Sequence, residues 1–146
     1  MTSDKFDIVL VEDNSDDAEL TLRALRKTGI ASSIIHLRDG EEALDFLFCK
    51  GAWSGRDAGH LPKLILLDLK MPKVDGIEVL RRVKSDARTR GIPVVLLSSS
   101  NEERDIARSY QLGVNSYVVK PVEFESYLKA VSDTGLYWLL HNRTPN

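Results

Sequence analysis

Residues 64–67 of the chain read LILL, and Asp68 follows them directly. A second apolar run, VVLL, occupies residues 94–97 and ends at Ser98. Apolar runs of four residues without alternation are typical of strands that are buried on both faces of a parallel sheet. Longer segments with the period of an amphipathic helix separate these runs from three further strand candidates. The pattern predicts an α/β fold, a doubly wound five-stranded parallel sheet with five helices.

The predicted elements alternate along the whole chain. The strands are expected at residues 7–11, 33–37, 64–67, 94–97 and 116–119. Helices are expected to begin, mostly at short polar caps, at Asn14 or Ser15, Asp39, residues 75–76, Asn101 and near Glu123. Their apolar stripes comprise Ala18, Leu22 and Leu25; Ala43, Leu44, Leu47 and Phe48; Ile77, Leu80 and Val83; Ile106, Ala107 and Tyr110; and Phe124, Tyr127, Leu128 and Val131.

Length and composition limit the class of protein. The chain has 146 residues, 42% hydrophobic and 29% charged, which predicts one domain over residues 1–146, with residues 133–146 extending the last helix. The formal net charge of −2 favours neither nucleic acid nor a membrane as a partner. The single cysteine, Cys49, excludes an internal disulfide. Without a leader pattern or an apolar run long enough to span a bilayer, we expect a cytoplasmic location.

Charged and polar residues follow four of the predicted strands at the point where each strand ends. These residues are Glu12, Asp13, Asp68, Ser98 and Lys120. Ligands of doubly wound sheets gather outside the carboxyl ends of the strands. Three carboxylates at one edge repel each other unless a cation joins them, and Mg²⁺ is the hard divalent ion that suits such ligands. Taken singly, Glu12 and Asp13 are also compatible with helix capping, Ser98 with a turn cap and Lys120 with a solvated surface.

The same residues suggest phosphoryl transfer. A carboxylate such as Asp68 can form an aspartyl phosphate. In-line transfer then requires positioning and neutralisation of charge, which a metal ion and Lys120 would supply. The hydroxyl of Ser98 is a candidate hydrogen-bond donor to a phosphoryl oxygen.

Four motifs resemble those of the receiver domains of two-component response regulators, with the flavodoxin-like fold. They are VLVEDN at residues 9–14, LLDLKMPKVDG at 66–76, PVVLLS at 93–98 and YVVKP at 117–121, in the order that receivers have. The resemblance covers nearly the whole chain. It implies a phosphorelay role with a sensor histidine kinase as partner, and a protein that catalyses at most its own phosphorylation and dephosphorylation.

Carried over by position, the resemblance implies a role for each site residue. Asp68 would be the phosphoacceptor. Asp13, Asp68 and the backbone carbonyl of Lys70 would bind Mg²⁺ directly, and Glu12 would act mainly through water. Receivers often carry Asn where this chain has Lys70, so the resemblance leaves the dephosphorylation rate open. Lys70 could itself pair with Glu12 or with the phosphoryl group.

The resemblance also implies a switch. Lys120 would contact the phosphoryl group, and its peptide bond to Pro121 would be cis. Ser98 would move toward the phosphoryl group and Tyr117 would turn inward with it, as a population shift between two arrangements. Only 26 residues follow Lys120, too few for an output domain, so output is expected through protein contacts.

Three further segments are similar to single-domain regulators that partner phytochrome-type light-sensing kinases in bacteria and cyanobacteria. They are residues 50–63, residues 97–106 and the pair Tyr137-Trp138. Such regulators are often dimeric through the face of helix four, strand five and helix five. We therefore expect a homodimer, with Tyr127 and residues 137–140 as apolar interface material. Alternatively, these side chains cover the core.

Other functional classes fit the sequence less well. Haloacid-dehalogenase-like phosphatases need a second Asp two residues after the nucleophile, where this chain has Lys70. No glycine-rich phosphate-binding loop follows the first strand, where Glu12 and Asp13 would repel a phosphate. A receiver-like scaffold or dimerisation module that is never phosphorylated remains the alternative.

Overall fold

The computed structural model describes residues 6–27, 33–71, 73–99 and 102–120, together with residues 126, 129 and 133. Five strands form one parallel sheet in the order β2-β1-β3-β4-β5. The strands are β1 Ile8–Val11, β2 Ile34–Leu37, β3 Leu64–Asp68, β4 Val94–Ser98 and β5 Ser116–Val119. The helices are α1 Ser15–Lys27, α2 Gly40–Leu47, α3 Gly76–Ser85 and α4 Glu103–Gln111, and a short 3₁₀ helix spans Gly51–Trp53. The predicted fold class is confirmed, and every strand end lies within one residue of its predicted position.

The sheet has two buried faces because side chains alternate along each strand. On β1, Ile8 and Leu10 pack in a cluster with Ala18, Ala24 and Leu25 of α1. Val9 and Val11 pack in the opposite cluster, which contains the buried side chains of α2 and α3. All five residues of β3 and of β4 are buried, as their unbroken apolar runs predict.

Three helices begin with the caps that the sequence predicts. Asn14, Asp39 and Asp75 each accept a side-chain hydrogen bond from the backbone N–H three residues further on, at 3.0, 2.8 and 3.0 Å. Such caps satisfy one of the backbone donors that every helix start leaves unpaired. Because these helices follow β1, β2 and the loop after β3, the caps fix the helix starts at the carboxyl edge of the sheet.

Two predicted helix faces need correction. In α2, Phe46 is fully buried, whereas Phe48 is only partly buried because the helix ends at Leu47. In α4, Ala107 and Tyr110 are exposed, and Tyr110 keeps 51% of its surface. The residue that α4 buries is Ser109, whose hydroxyl donates to the Asp105 carbonyl at 2.7 Å and so is satisfied within its own helix.

The segment between α2 and β3 is anchored on the end of α2. The Arg56 side chain is 5% exposed, and its guanidinium lies 4.1 Å from the centre of the Phe46 ring. Arg56 Nε donates to the Phe46 carbonyl at 2.9 Å, and the Trp53 ring meets the Phe46 ring edge-on at 5.0 Å. The segment is therefore held by packing and by hydrogen bonds to α2.

Several predictions lie outside the described residues. These are the helix start at Asn101, the cis bond to Pro121, the beginning of the fifth helix near Glu123, its apolar stripe, and the tail with Tyr137 and Trp138. Three described positions beyond β5 are helical: Ser126, Lys129 and Asp133. Lys129 Nζ lies 2.9 Å from Asp133 Oδ2, an ion pair between residues four apart, as on neighbouring turns of a helix. Across the described part of the chain, no helix is both long and apolar enough to cross a membrane.

Candidate functional site

The topology brings three acidic side chains to one point of the sheet edge. From β1 the chain passes to β2 on one side, and it later returns to β3 on the other side. Ligands of doubly wound sheets bind at this reversal of strand order. Glu12 and Asp13 follow β1 and Asp68 ends β3, and one carboxylate oxygen of each lies within 4.8 Å of the others.

Lys120 supplies a cation to this cluster. Its Nζ lies 2.8 Å from Glu12 Oε1, 3.1 Å from Asp17 Oδ2 and 3.5 Å from Asp68 Oδ1. Its backbone N–H donates to the carbonyl of Ser98 at 2.6 Å, which holds the end of β5 against the end of β4. The lysine predicted for this edge is therefore paired with three carboxylates at once.

Burial shapes the charges of the site. Glu12 is 1% exposed and Asp68 is 9% exposed, whereas Asp13 faces solvent. Burial, together with the neighbouring negative charge of Glu12, raises the pKa of Asp68 to about 7, although Lys120 opposes the shift. Burial alone would lower the pKa of Lys120, but its hydrogen bond to Glu12 and the charge of Asp68 outweigh that effect, so the pKa is raised.

Backbone contacts fix the acidic residues. The Glu12 carbonyl lies 2.7 Å from Nε2 of His36, and Glu12 Oε2 accepts from the backbone N–H of Asn14 at 3.3 Å. At Gly76, a Cβ would lie 2.2 Å from the Asp68 carbonyl oxygen, so only glycine allows α3 to start this close to Asp68. The Gly76 N–H donates to the Leu69 carbonyl at 2.8 Å, which closes the turn after β3.

The other predicted site residues lie around this cluster. Ser98 is buried at the end of β4, and its carbonyl binds Lys120. Tyr117 is partly buried in β5 and packs against the core. The Lys70 side chain is exposed. The cation paired with Glu12 is Lys120 rather than Lys70.

Asp17 is a member of the cluster that the sequence reasoning did not include. It lies in the first turn of α1, where an acidic residue is favourable near the positive end of the helix. Asp13 precedes α1, so its spacing of four residues from Asp17 does not put the two side chains on one helix face. The contact with Lys120, 103 residues away, could not be inferred from that spacing alone.

The donor set fits a hard divalent cation. Glu12, Asp13 and Asp68 present carboxylate oxygens, the ligands that Mg²⁺ and Mn²⁺ accept. The single ammonium of Lys120 does not balance these three carboxylates and Asp17. The pKa of Asp68 is raised first by burial of its carboxyl and then by the negative charge of Glu12.

Known proteins resemble this chain in sequence and in fold. Residues 8–132 match the family model of the response regulator receiver domain. The probable methanogenesis regulatory protein FilR2 of Methanothrix harundinacea is 46% identical over 142 residues, which cover 97% of this chain and 89% of FilR2.

Two solved structures of phytochrome-associated or related regulators are similar over nearly their whole length. The phosphorylated cyanobacterial phytochrome response regulator RcpA is 39% identical with a TM-score of 0.89, over 97% of this chain and 99% of RcpA. The Mn²⁺-bound form of response regulator Rcp1, a protein of Synechocystis, is 38% identical with a TM-score of 0.87, over 95% and 98% of the two chains. Receiver domains are phosphoacceptors that bind a divalent metal. The chain belongs to the response regulator receiver domain family, as a phosphorelay response regulator close to Rcp1 and RcpA.

Proposed function

We propose that Asp68 accepts a phosphoryl group from the phosphohistidine of a sensor histidine kinase, in a site that requires Mg²⁺. The observation that carries the proposal is the meeting of Glu12, Asp13 and Asp68, with oxygens within 4.8 Å, beside the ammonium of Lys120. Helix capping alone does not require this convergence.

Asp68 is the nucleophile in this scheme. One of its carboxylate oxygens forms a bond to phosphorus as the bond from phosphorus to the histidine nitrogen breaks, and the electron pair of the broken bond stays on that nitrogen. With a pKa of about 7, the Asp68 carboxyl is partly protonated at neutral pH, and a protonated carboxyl attacks poorly. Ionisation of Asp68 is therefore a requirement for transfer.

The surrounding residues meet this requirement. Mg²⁺ would be held directly by Asp13, Asp68 and the backbone carbonyl of Lys70, and through water by Glu12. The bound ion would keep Asp68 ionised and neutralise phosphoryl oxygens. Lys120 adds a second positive charge, since its Nζ is already 3.5 Å from Asp68 Oδ1. Both charges would act where the transferred group carries its negative charge.

The response follows from the position of Ser98 and Tyr117. Ser98 ends β4 and Tyr117 lies in β5, which pairs directly with β4. We propose that Ser98 moves toward the phosphoryl group and that Tyr117 turns inward, which alters the surface of α4 and β5 for protein contacts. We further propose that the exposed Lys70, two residues after the acceptor, influences how long the phosphoryl group persists.

The partner we propose is a phytochrome-type histidine kinase, because RcpA is a phytochrome response regulator. We also propose a homodimer through α4, β5 and the chain beyond them. The described large hydrophobic side chains that are exposed, Tyr110 and Val119, both lie on this face. Sedimentation velocity should show a smaller species for Tyr110→Glu than for the wild type; an unchanged profile would remove Tyr110 from the interface.

Intact-protein mass after incubation with acetyl phosphate and Mg²⁺ tests the phosphoacceptor. One phosphoryl adduct should form, and it should disappear with EDTA and in Asp68→Asn. Circular dichroism of that variant checks that it is folded. An adduct in folded Asp68→Asn would move the acceptor to another residue. A folded wild type that accepts phosphate neither from acetyl phosphate nor from a phosphorylated phytochrome-type kinase would favour a receiver-like scaffold.

A further inference from the structure

We propose that Asp17 is a positioning residue for Lys120: in the unphosphorylated protein it keeps the ammonium 3.5 Å from Asp68, beyond the distance of a normal hydrogen bond, and it releases the ammonium when Asp68 carries a phosphoryl group. The inference rests on the proposed role of Asp68 and concerns a residue that this role does not itself require. Through Asp17, the first turn of α1 is linked directly to the phosphorylation site.

The distances show which acceptors Lys120 uses. An ammonium has three N–H donors. One donates to Glu12 Oε1 at 2.8 Å and another to Asp17 Oδ2 at 3.1 Å. Asp68 Oδ1 is more distant, at 3.5 Å, which is long for a hydrogen bond between charged groups. These hydrogen bonds of Lys120 therefore go to Glu12 and Asp17, and its contact with Asp68 is a longer ion pair.

Asp17 is itself fixed by backbone contacts. Its N–H donates to Asn14 Oδ1 at 3.0 Å, and its carbonyl accepts from the hydroxyl of Thr21 at 2.9 Å. Thr21 is a fully buried residue of α1 itself. The carboxylate thus projects from a rigid helical turn, and its place relative to Lys120 is set by the packing of α1 on the sheet.

Burial decides which partner Lys120 can leave. The side chain of Glu12 is 2% exposed, so Glu12 without a cation would be a buried, unpaired charge. The side chain of Asp17 is 39% exposed, so water can replace the ammonium there at little cost. A phosphoryl group at Asp68 adds negative charge that attracts the ammonium. Lys120 is expected to keep Glu12 and to exchange Asp17 for the phosphoryl group.

The competing explanation is that Asp17 acts only as a negative charge. Acidic residues in the first turn are favourable for any helix, and Asp16 has the same property. A negative charge near the site would also attract Mg²⁺ through space, whether or not Lys120 is present. The two explanations differ in whether the effect of Asp17 passes through Lys120.

A double-mutant cycle on Mg²⁺ affinity separates them, and calorimetry measures it without phosphorylation. In Asp17→Asn the freed ammonium turns to Asp68 and competes with the cation, so the Mg²⁺ Kd should rise several-fold. In the Lys120→Gln background the same substitution should have little effect. Glu19→Gln, an exposed charge change on the same helix, is the matched control and should leave the Kd unchanged. An equal rise in both backgrounds would overturn the proposal.

The ¹⁵N signal of the Lys120 ammonium tests the release and does not depend on the folding of Lys120→Gln. Asp17→Asn should shift this signal in the resting protein but not in the protein loaded with Mg²⁺ and beryllofluoride, a mimic of an aspartyl phosphate. Equal shifts in both forms would show that Asp17 stays bound to Lys120, and no shift in either would show that the contact is absent. Failure of the wild type to accept phosphate would refute the proposed function, while the Mg²⁺ cycle and the resting signal would still report the Asp17 contact.

Discussion

Replacing Asp68 by asparagine should stabilise the metal-free protein at neutral and alkaline pH. Asp68 is 9% exposed and lies in a cluster with Glu12 and Asp13. Burial and the charge of Glu12 raise its pKa to about 7, so its ionised form is unfavourable in the fold. Asparagine has nearly the same shape and carries no charge, and it removes this repulsion while Lys120 keeps Glu12 and Asp17 as partners.

The pKa shift sets an upper limit on the gain. An Asp carboxyl in the unfolded chain titrates near its ordinary value of 3.8, compared with about 7 in the fold. A difference of about three pKa units corresponds to about 4 kcal/mol in the free energy of unfolding. Because asparagine also loses the attraction of Asp68 to Lys120, we expect a measured gain of roughly 1–3 kcal/mol.

The sign of the pH dependence follows from the raised pKa. The unfolded carboxyl loses its proton near pH 4, whereas the folded one keeps it until about pH 7. The wild type therefore loses stability as the pH rises through this window, and the loss is complete above about pH 8. The advantage of Asp68→Asn should be largest at pH 8 and less than half as large at pH 5.

Urea unfolding in EDTA at pH 8 and pH 5 measures this effect, with Glu19→Gln as an exposed charge-neutralising control. Added Mg²⁺ should stabilise the wild type by mass action and should stabilise Asp68→Asn far less. The reasoning would be refuted if Asp68→Asn were less stable than the wild type at pH 8, or if its advantage were the same at both pH values.

Three further substitutions test local contacts. Gly76→Ala places a Cβ 2.2 Å from the Asp68 carbonyl and should cost about 3 kcal/mol or more, with weaker Mg²⁺ binding; thermal unfolding equal to the wild type would contradict this. Arg56→Ala removes the contact with the Phe46 ring and a buried hydrogen bond, and should cost roughly 2–3 kcal/mol in urea unfolding without changing phosphorylation. Asp39→Ala removes a helix cap and should cost about 1 kcal/mol; a loss below about 0.3 kcal/mol would show that the cap is replaced by water.

The sheet could be predicted from sequence because its strands carry two independent signals. The runs at residues 64–67 and 94–97 are apolar throughout, as is typical of strands covered on both faces. A polar or charged residue follows four of the five strands, and these residues indicate the carboxyl edge of the sheet as the candidate site. The same residues predict that Glu12, Asp13, Asp68 and Lys120 lie at one edge of the sheet.

The face of α4 could not be predicted in this way. Its apolar residues have helical spacing, yet Ala107 and Tyr110 face solvent and Ser109 faces inward. A serine can be buried without an unpaired hydroxyl when it donates to the carbonyl four residues earlier, here that of Asp105. Periodicity therefore identified the helix but not its orientation, which tertiary packing decides.

The contacts of Lys120 depend on geometry that no local pattern contains. In the sheet, β5 is separated from β1 by β3 and β4, so adjacency of strands does not bring Lys120 to Glu12 or Asp17. The contact exists because the long side chain of Lys120 crosses the edge of the sheet to the buried carboxylates of Glu12 and Asp68. The sequence predicts that Lys120 contacts the phosphoryl group of the phosphorylated protein. It does not predict which residues bind Lys120 before phosphorylation. The structure identifies Glu12 and Asp17, and the difference in their burial makes Asp17 the partner that Lys120 can give up.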